Sequence, residues 1–293
     1  MLTEVSFTKN PTRLTRQTCW KIYLAAETIV GSKKQHIVEA SMNQIKRFYG
    51  SSIGKKFVVA VTGIALFGFI AGHMAGNLKV FTGATPSGVP HIDEYALFLK
   101  TLGAPFLPKM MGLWIARSVL VVCLILHVVT VILLSRQNKK ARPIAYVRSK
   151  KQAVSLASRL MMASGLVILA FIPFHILQFT TGNIRIGDPD FAHGNVYSNL
   201  YGGFSVWYVT LGYAVVVTLL GFHLFHGLWS LFQTLGLDNP DRNGKIRAFS
   251  VAFSVIITLG FILVPLAFFS GWMPSPTDYD PSLLNPSNST TNH

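Results

Sequence analysis

The sequence predicts an all-α integral membrane protein built as a bundle of five transmembrane helices. Of its 293 residues, 51% are hydrophobic and only 13% are charged, which is about half the charged share of a soluble globular domain. Five apolar runs are long enough to cross a bilayer core, which takes about 20 helical residues. The net charge of +15 is carried between these runs, so it does not form the basic polar surface of a nucleic-acid-binding protein.

Each apolar run must form a helix, because backbone groups inside lipid need hydrogen bonds within their own segment. The predicted helices span residues 57–78, 112–134, 160–180, 207–233 and 248–271. None of them contains Asp or Glu. The chain has two cysteines, Cys19 and Cys123, which excludes a disulfide framework, a four-cysteine zinc site and a cysteine-bound iron–sulfur cluster.

Three parts of the chain differ in composition. Residues 1–41 are basic and mixed, and we interpret them as an N-terminal extension, with Met42 as an alternative start of the coherent pattern. Residues 42–274 form the predicted membrane domain. Residues 275–293 are rich in Pro, Ser, Thr and Asn, and this composition predicts a flexible C-terminal tail.

The distribution of lysine and arginine predicts the orientation in the membrane. The segments before the first helix, between the second and third, and between the fourth and fifth hold 21 of these residues, whereas the opposite side holds 4. Cytoplasmic loops of membrane proteins carry the excess of positive charge. We therefore expect a multi-pass protein of the cell inner (cytoplasmic) membrane with its N-terminus in the cytoplasm and its C-terminus outside.

The candidate functional residues are histidines within the predicted helices. They are His73, His127, His175, His223 and His226. An ionisable side chain inside a membrane is costly and marks a functional site by default. For any single histidine the alternative is an interhelical hydrogen bond.

The depth of these histidines sorts them into two levels. At about 1.5 Å per residue, His73 and His175 lie about 24 and 22 Å from the cytoplasmic ends of their helices. His127 and His223 lie only about 10 and 15 Å from the cytoplasmic ends. The helices therefore carry an outer and an inner pair, with levels roughly 10 Å apart.

Two histidines at one level on different helices can bind opposite faces of one haem, because neutral imidazole is a good axial ligand for haem iron. The sequence therefore predicts two b haems, one at each level. A zinc ion is less favoured, because no carboxylate or thiolate accompanies either pair. Arg117, near the outer end of the second helix, has two interpretations: a partner of a haem propionate, or a guanidinium that reaches the membrane interface.

Several short motifs follow one another in a defined order along the chain. They are Ser51–Lys56 (SSIGKK), Gly72–Leu78 (GHMAGNL), Glu94–Leu99 (EYALFL), Ser158–Met162 (SRLMM) with Gly165, and His223 with Gly227–Trp229 (GLW). In this order, together with five helices, they resemble the membrane cytochrome b subunit of succinate dehydrogenase/fumarate reductase, of the five-helix, two-haem type known as the cytochrome b558 family. The resemblance covers residues 42 to about 274.

The resemblance implies a ligand set for each haem. His73 and His175 are the implied ligands of the outer, distal haem, and His127 and His223 those of the inner, proximal haem. The family pattern of a histidine followed four residues later by glycine favours His223. His226, near the same helical face, is the alternative to it.

The resemblance also implies a function. The chain would anchor a flavoprotein subunit and an iron–sulfur subunit on the cytoplasmic face, and pass electrons from the latter through two b haems to a membrane quinone, menaquinone or ubiquinone. Candidates for the quinone site are Glu94 and Tyr95 in an outer loop, and Ser52 and Arg159 on the cytoplasmic side.

Succinate oxidation is the predicted direction, with the reverse reaction of a quinol:fumarate reductase as the alternative. A family member that reduces fumarate with menaquinol can carry a membrane glutamate two residues before the ligand of the fourth helix, and Gly221 occupies that position here. Two other functions stay open: a histidine-relay proton channel or transporter, and a cytochrome b subunit of a hydrogenase or formate dehydrogenase.

Overall fold

The computed structural model describes residues 16–141, 156–188, 190–237 and 239–278. Within these ranges the regular structure is helical, and the only β-type pairing is an isolated bridge between Ala84 and Pro90. The α-helices are α1 (Arg16–Gly50), α2 (Ser52–Asn77), α3 (His91–Lys100), α4 (Met111–Lys140), α5 (Leu156–Phe179), α6 (Val196–Phe204), α7 (Trp207–Thr234) and α8 (Pro240–Phe269). Short 3-10 helices span Leu78–Thr82 and Pro276–Asp278.

Five helical segments are long and apolar enough to cross a membrane. They are Ser52–Thr82, Met111–Lys140, Leu160–Phe179, Trp207–Thr234 and Pro240–Phe269. The predicted helical fold is thereby confirmed for the described residues, with five helices that are candidates to span a membrane. The tail beyond Asp278 lies outside the described residues, as do residues 1–15 of the predicted extension.

Four helices extend beyond the predicted apolar runs by four residues or more at one end. α2 begins at Ser52 instead of 57, α4 ends at Lys140 instead of 134, α5 begins at Leu156 instead of 160, and α8 begins at Pro240 instead of 248. Only the turns inside lipid have to be apolar, so polar turns extend these helices into water. The start of α8 also has a local cause, because the Asn239 side chain accepts a hydrogen bond from the Asp241 N–H at 2.9 Å and proline suits the first helical position.

The chain divides into two compact units, Met1–Lys55 and Lys56–His293. The first unit contains α1, whose described side chains are mostly exposed. Contacts one turn apart support this helix: the Tyr23 hydroxyl donates to Glu27 at 2.9 Å, and the Gln35 amide donates to Glu39 at 3.2 Å. Pairs at this spacing stabilise helices in water.

In the second unit, α7 is the central helix of the bundle. Its backbone packs closely against α5 on one side and α8 on the other. Among the described residues, α2 and α4 approach no other membrane helix so closely. They contact their neighbours through side chains, for example the rings of Phe67 in α2 and Phe253 in α8, whose centroids lie 4.4 Å apart. The backbones are therefore held apart where α2 and α4 face the bundle.

One end of the second unit carries a cap, which we define as the 3-10 helix Leu78–Thr82, α3, α6 and the chain from Ser270 to Asp278. The largest buried hydrophobic cluster lies here, with Val80, Ile92, Tyr197 and Phe268 among its members. The Tyr197 hydroxyl donates to the Pro274 carbonyl at 2.9 Å. In the predicted topology this end faces the outside. Elsewhere the bundle exposes large apolar side chains along its helices, as expected of surfaces that contact lipid.

Candidate functional site

The outer histidine pair lies just below the cap. The imidazole rings of His73 in α2 and His175 in α5 have centroids 5.9 Å apart, and the ring planes are inclined at 77°. Aromatic rings surround both: His73 stacks on Phe69 at 5.5 Å and His175 on Phe171 at 5.7 Å. The two residues that depth alone predicted to be partners are thus brought together.

The spacing of this pair fits two ligands on one metal. A metal–imidazole bond is about 2 Å and the nitrogen lies about 1 Å from the ring centre, so two imidazoles on opposite sides of one iron have ring centres about 6 Å apart. The observed 5.9 Å matches this separation. Among the described residues, no group of three or more His, Cys, Asp or Glu side chains is arranged to hold a metal ion. The pair therefore offers two protein ligands, the number that a bis-histidine haem takes.

The inner pair, His127 in α4 and His223 in α7, lies further from the cap. Each ring lies over a glycine of a neighbouring helix. A methyl group added at Gly63 would lie 3.5 Å from Cε1 of His127, and one at Gly165 would lie 3.2 Å from Cε1 of His223. The glycines thus give each imidazole access to the surface of α2 or α5.

Hydroxyl groups contact three of the four paired histidines at Nδ1. Thr62 Oγ1 lies 3.1 Å from Nδ1 of His127, and Ser164 Oγ lies 3.3 Å from Nδ1 of His223. The Tyr213 hydroxyl lies 3.3 Å from Nδ1 of His175. Sequence alone does not reveal these three hydroxyls, because a threonine, serine or tyrosine in an apolar helix has no distinguishing signal until its partner is known.

The contacts also define the spacing of the two levels. His127 lies beside Thr62, and His73 follows Thr62 by eleven residues on the same helix, a rise of about 16 Å. His223 lies beside Ser164, and His175 follows it by the same eleven residues. The separation is wider than the roughly 10 Å that the apolar limits predict, because the limits of the apolar runs are not the limits of the helices: α2, for example, begins at Ser52 instead of 57.

His226 and Arg117 have other surroundings. His226 is half-buried, and among the described residues its ring has no hydrogen-bond partner. A methyl group added at nearby Gly227 would meet no atom within 4 Å, so space remains beside this part of α7. The Arg117 guanidinium lies 5.1 Å from the centroid of the Trp114 ring, a cation–π arrangement.

The quinone-site candidates fall into different surroundings. In α3, Glu94 is exposed, whereas the Tyr95 ring packs on Gly76 and lies 5.6 Å from the Lys79 ammonium. Ser52 is the exposed first residue of α2. Arg159 belongs to the first turn of α5, and its side chain is outside the described residues.

Asp93, next to the quinone-site candidates Glu94 and Tyr95, is a buried acidic residue of the cap. Only 2% of it is exposed, and its Oδ1 accepts a hydrogen bond from the Tyr197 N–H at 2.9 Å. Burial raises the pKa of Asp93 to about 6, although hydrogen bonds from the backbone of Tyr197 and Val196 act in the opposite direction. The contact joins α3 to α6 across 104 residues of sequence. Local sequence patterns do not predict a contact between residues so far apart in the chain.

The raised pKa makes the stability of the cap dependent on pH. The ordinary value for this group is 3.8, so between about pH 4 and 6 the folded state holds the proton more tightly than the unfolded chain. The protonated Asp93 carboxyl therefore makes its full contribution to the free energy of unfolding below the ordinary pKa. This contribution, about 3 kcal/mol, is lost as pH rises through about 6. Asp93→Asn keeps an acceptor for Tyr197 and carries no charge.

We expect the thermal unfolding midpoint in detergent to decline for the parent protein between pH 4 and 7 and to stay level for Asp93→Asn. At pH 8 the variant should be the more stable of the two. Glu94→Gln, at the exposed neighbouring position, is the control and should follow the parent. Parallel pH profiles for the parent and Asp93→Asn would contradict the assignment.

Comparison with known families identifies one match. A family described as "Succinate dehydrogenase/Fumarate reductase transmembrane subunit" matches residues 135–261. The matched region contains α5, α7 and most of α8, and with them His175, His223 and His226. His73 and His127 lie outside it. Comparisons with curated proteins and with solved structures find no match. This match confirms the resemblance to the membrane subunits of succinate dehydrogenase/fumarate reductase over residues 135–261.

Proposed function

We propose that the chain is the di-haem cytochrome b anchor of a succinate:quinone oxidoreductase. The match of residues 135–261 to the succinate dehydrogenase/fumarate reductase transmembrane subunits supports this proposal. The observation that carries this proposal is the His73–His175 pair, with ring centroids 5.9 Å apart on two membrane helices. A second pair, His127 and His223, at another level supports a second haem.

The residues of the chain would hold each haem from two helices. His73 and His175 would hold the outer haem, and His127 and His223 would hold the inner haem. Each haem supplies a one-electron carrier when bound. The protein contributes the ligand spacing, the aromatic rings that enclose the outer pair, and the apolar surroundings that exclude water.

The absence of a membrane carboxylate supports succinate oxidation over quinol-driven fumarate reduction. Gly221 lies where a menaquinol-oxidising relative can carry glutamate, and it is buried against α8. A Cβ atom added there would collide with the Thr258 hydroxyl. A glutamate at this position therefore does not fit the packing of α7 on α8. The reverse reaction is the second candidate direction.

The proposed assembly places the flavoprotein and iron–sulfur subunits at the cytoplasmic end of the bundle, opposite the cap. The excess of lysine and arginine before α2 and between α4 and α5 supports this orientation. It corresponds to the inner membrane of the cell, with the C-terminus outside. Glu94, Tyr95, Ser52 and Arg159 remain the candidates for contact with the quinone.

Purification of the complex from membranes tests the proposed function. We expect the chain to co-purify with a flavoprotein and an iron–sulfur protein, and succinate to reduce b-type haem and then added quinone. A preparation without a Soret band, or without succinate-dependent reduction, would contradict the proposal. The first of these outcomes would favour the histidine-relay proton channel or transporter.

A further inference from the structure

We infer that Thr62 and Ser164 are positioning residues of the inner histidine pair: each hydroxyl fixes the imidazole tautomer that leaves Nε2 free to bind iron. The inference rests on the proposed function, since it concerns how the chain prepares His127 and His223 for a haem. It adds two residues that do not themselves touch the haem iron.

The hydrogen-bond partners of Thr62 decide the direction of its contact with His127. Its single hydroxyl proton is donated to backbone carbonyls of the preceding turn of α2, to Val58 at 2.7 Å with Val59 at 3.2 Å as a second acceptor. Because that proton is already used, Oγ1 can only accept a bond from His127, whose Nδ1 lies 3.1 Å away. Nδ1 must then carry the ring proton, and Nε2 of a neutral imidazole is left with its lone pair.

Ser164 makes the same arrangement for His223. Its hydroxyl donates to the Met161 carbonyl at 3.1 Å and lies 3.3 Å from Nδ1 of the histidine. Neither hydroxyl is available to water: Ser164 is fully buried and Thr62 is 4% exposed. A buried hydroxyl oxygen beside a ring nitrogen holds the imidazole in one tautomer and one orientation.

The outer pair has a corresponding contact on one side. The Tyr213 hydroxyl donates to Gln178 Oε1 at 3.0 Å, so toward His175 it accepts from Nδ1 at 3.3 Å. Three histidines on three helices are therefore held by Nδ1. In each case the hydroxyl proton is donated to a carbonyl oxygen, and in each case Nε2 is the nitrogen left free.

A short repeat along α2 and α5 places both inner hydroxyls. Thr62-Gly63 precedes His73 by eleven residues, and Ser164-Gly165 precedes His175 by eleven residues. Eleven residues are close to three turns, so hydroxyl and histidine share one helix face about 16 Å apart. The glycine lets the ring of the opposing helix come close enough to reach the hydroxyl. Each of the two helices thus carries its own outer ligand and orients an inner ligand on its neighbour.

The arrangement has a measurable consequence for the inner haem. A hydrogen bond accepted from Nδ1–H makes the ligating imidazole more basic. A more basic ligand stabilises ferric over ferrous iron and lowers the midpoint potential. Loss of either hydroxyl should therefore raise the potential of the inner haem without changing that of the outer haem.

The test is a redox titration of the intact complex carrying Thr62→Val or Ser164→Ala, followed by visible and electron paramagnetic resonance spectra of both haems. We expect a positive shift of the inner midpoint potential and a changed low-spin ferric signal in each variant, and a larger shift in the double variant. Thr62→Ser, which keeps the hydroxyl, should restore the parent values. Thr218→Val is the matched control, because Thr218 makes the same bond to the carbonyl one turn earlier, at 2.8 Å to Ala214, on an exposed face.

Unchanged potentials and signals in Thr62→Val and Ser164→Ala, with both haems retained, would overturn the inference and leave the proposed function intact. A negative shift would also overturn it, because losing an acceptor of the Nδ1–H bond makes the ligating imidazole less basic and can only raise the potential of the inner haem. If Thr62→Val does not accumulate, Ser164→Ala alone decides in the same way. Absence of haem from the parent complex would instead refute the proposed function.

Discussion

Replacing His73 or His175 by leucine should remove one and the same haem, the outer one, and leave the inner haem bound. The two rings lie 5.9 Å apart, the separation expected of two imidazoles on one metal. With one of them gone, the other imidazole holds an iron that lacks an axial ligand, so the site should empty or become five-coordinate. The expected loss is half of the haem absorbance in each variant.

The geometry also excludes a mixed pairing of these ligands. His127 lies beside Thr62, eleven residues and about 16 Å along α2 from His73, so His73 and His127 cannot bind opposite faces of one haem. In both variants succinate should still reduce the inner haem, whereas quinone reduction should fall. The measurement is a reduced-minus-oxidised spectrum of each purified complex. Loss of spectroscopically different haems from the two variants would show that the pairing is wrong.

His226→Leu is the matched control for these variants, because it removes a histidine of the membrane helices that belongs to neither pair. We expect it to retain both haems. It is half-buried, as His73 and His175 are, so it reports the cost of removing such an imidazole as such.

His223→Ala should lose the inner haem, whereas His226→Ala should keep both. Ser164 holds the ring of His223 at 3.3 Å and Gly165 accommodates it, while the described residues offer the His226 ring no hydrogen bond. Haem content and the spectrum of each purified variant check this difference. Retention of the inner haem in His223→Ala together with its loss in His226→Ala would reverse the assignment.

The membrane architecture could be predicted from sequence because lipid imposes it. Apolar runs of sufficient length must be helices, and the constant rise of a helix sorts histidines by depth, so His73 and His175 could be matched without coordinates. The limits of the helices were less accurate, since α4 and α8 continue into water where hydropathy gives no signal. For α8 the sequence does contain a signal of the helix start, the capping residues Asn239-Pro240-Asp241.

Other features depend on contacts between distant residues. Asp93 reads as an ordinary loop residue until Tyr197, 104 residues later, is seen to donate to it. Thr62 and Ser164 look like isolated polar residues in apolar helices, and their meaning appears only with the histidines of α4 and α7 beside them. Helix α1 was also missed, because pairs such as Tyr23 with Glu27 support it locally and produce no long apolar run.

The number of haems per chain tests the central claim most directly. A pyridine haemochrome assay on the purified complex, referred to the amount of this polypeptide, should give two b haems for each chain. His73→Leu should lower that number to one. One haem per chain in the parent protein, or none, would contradict the assignment of four histidines to two haems.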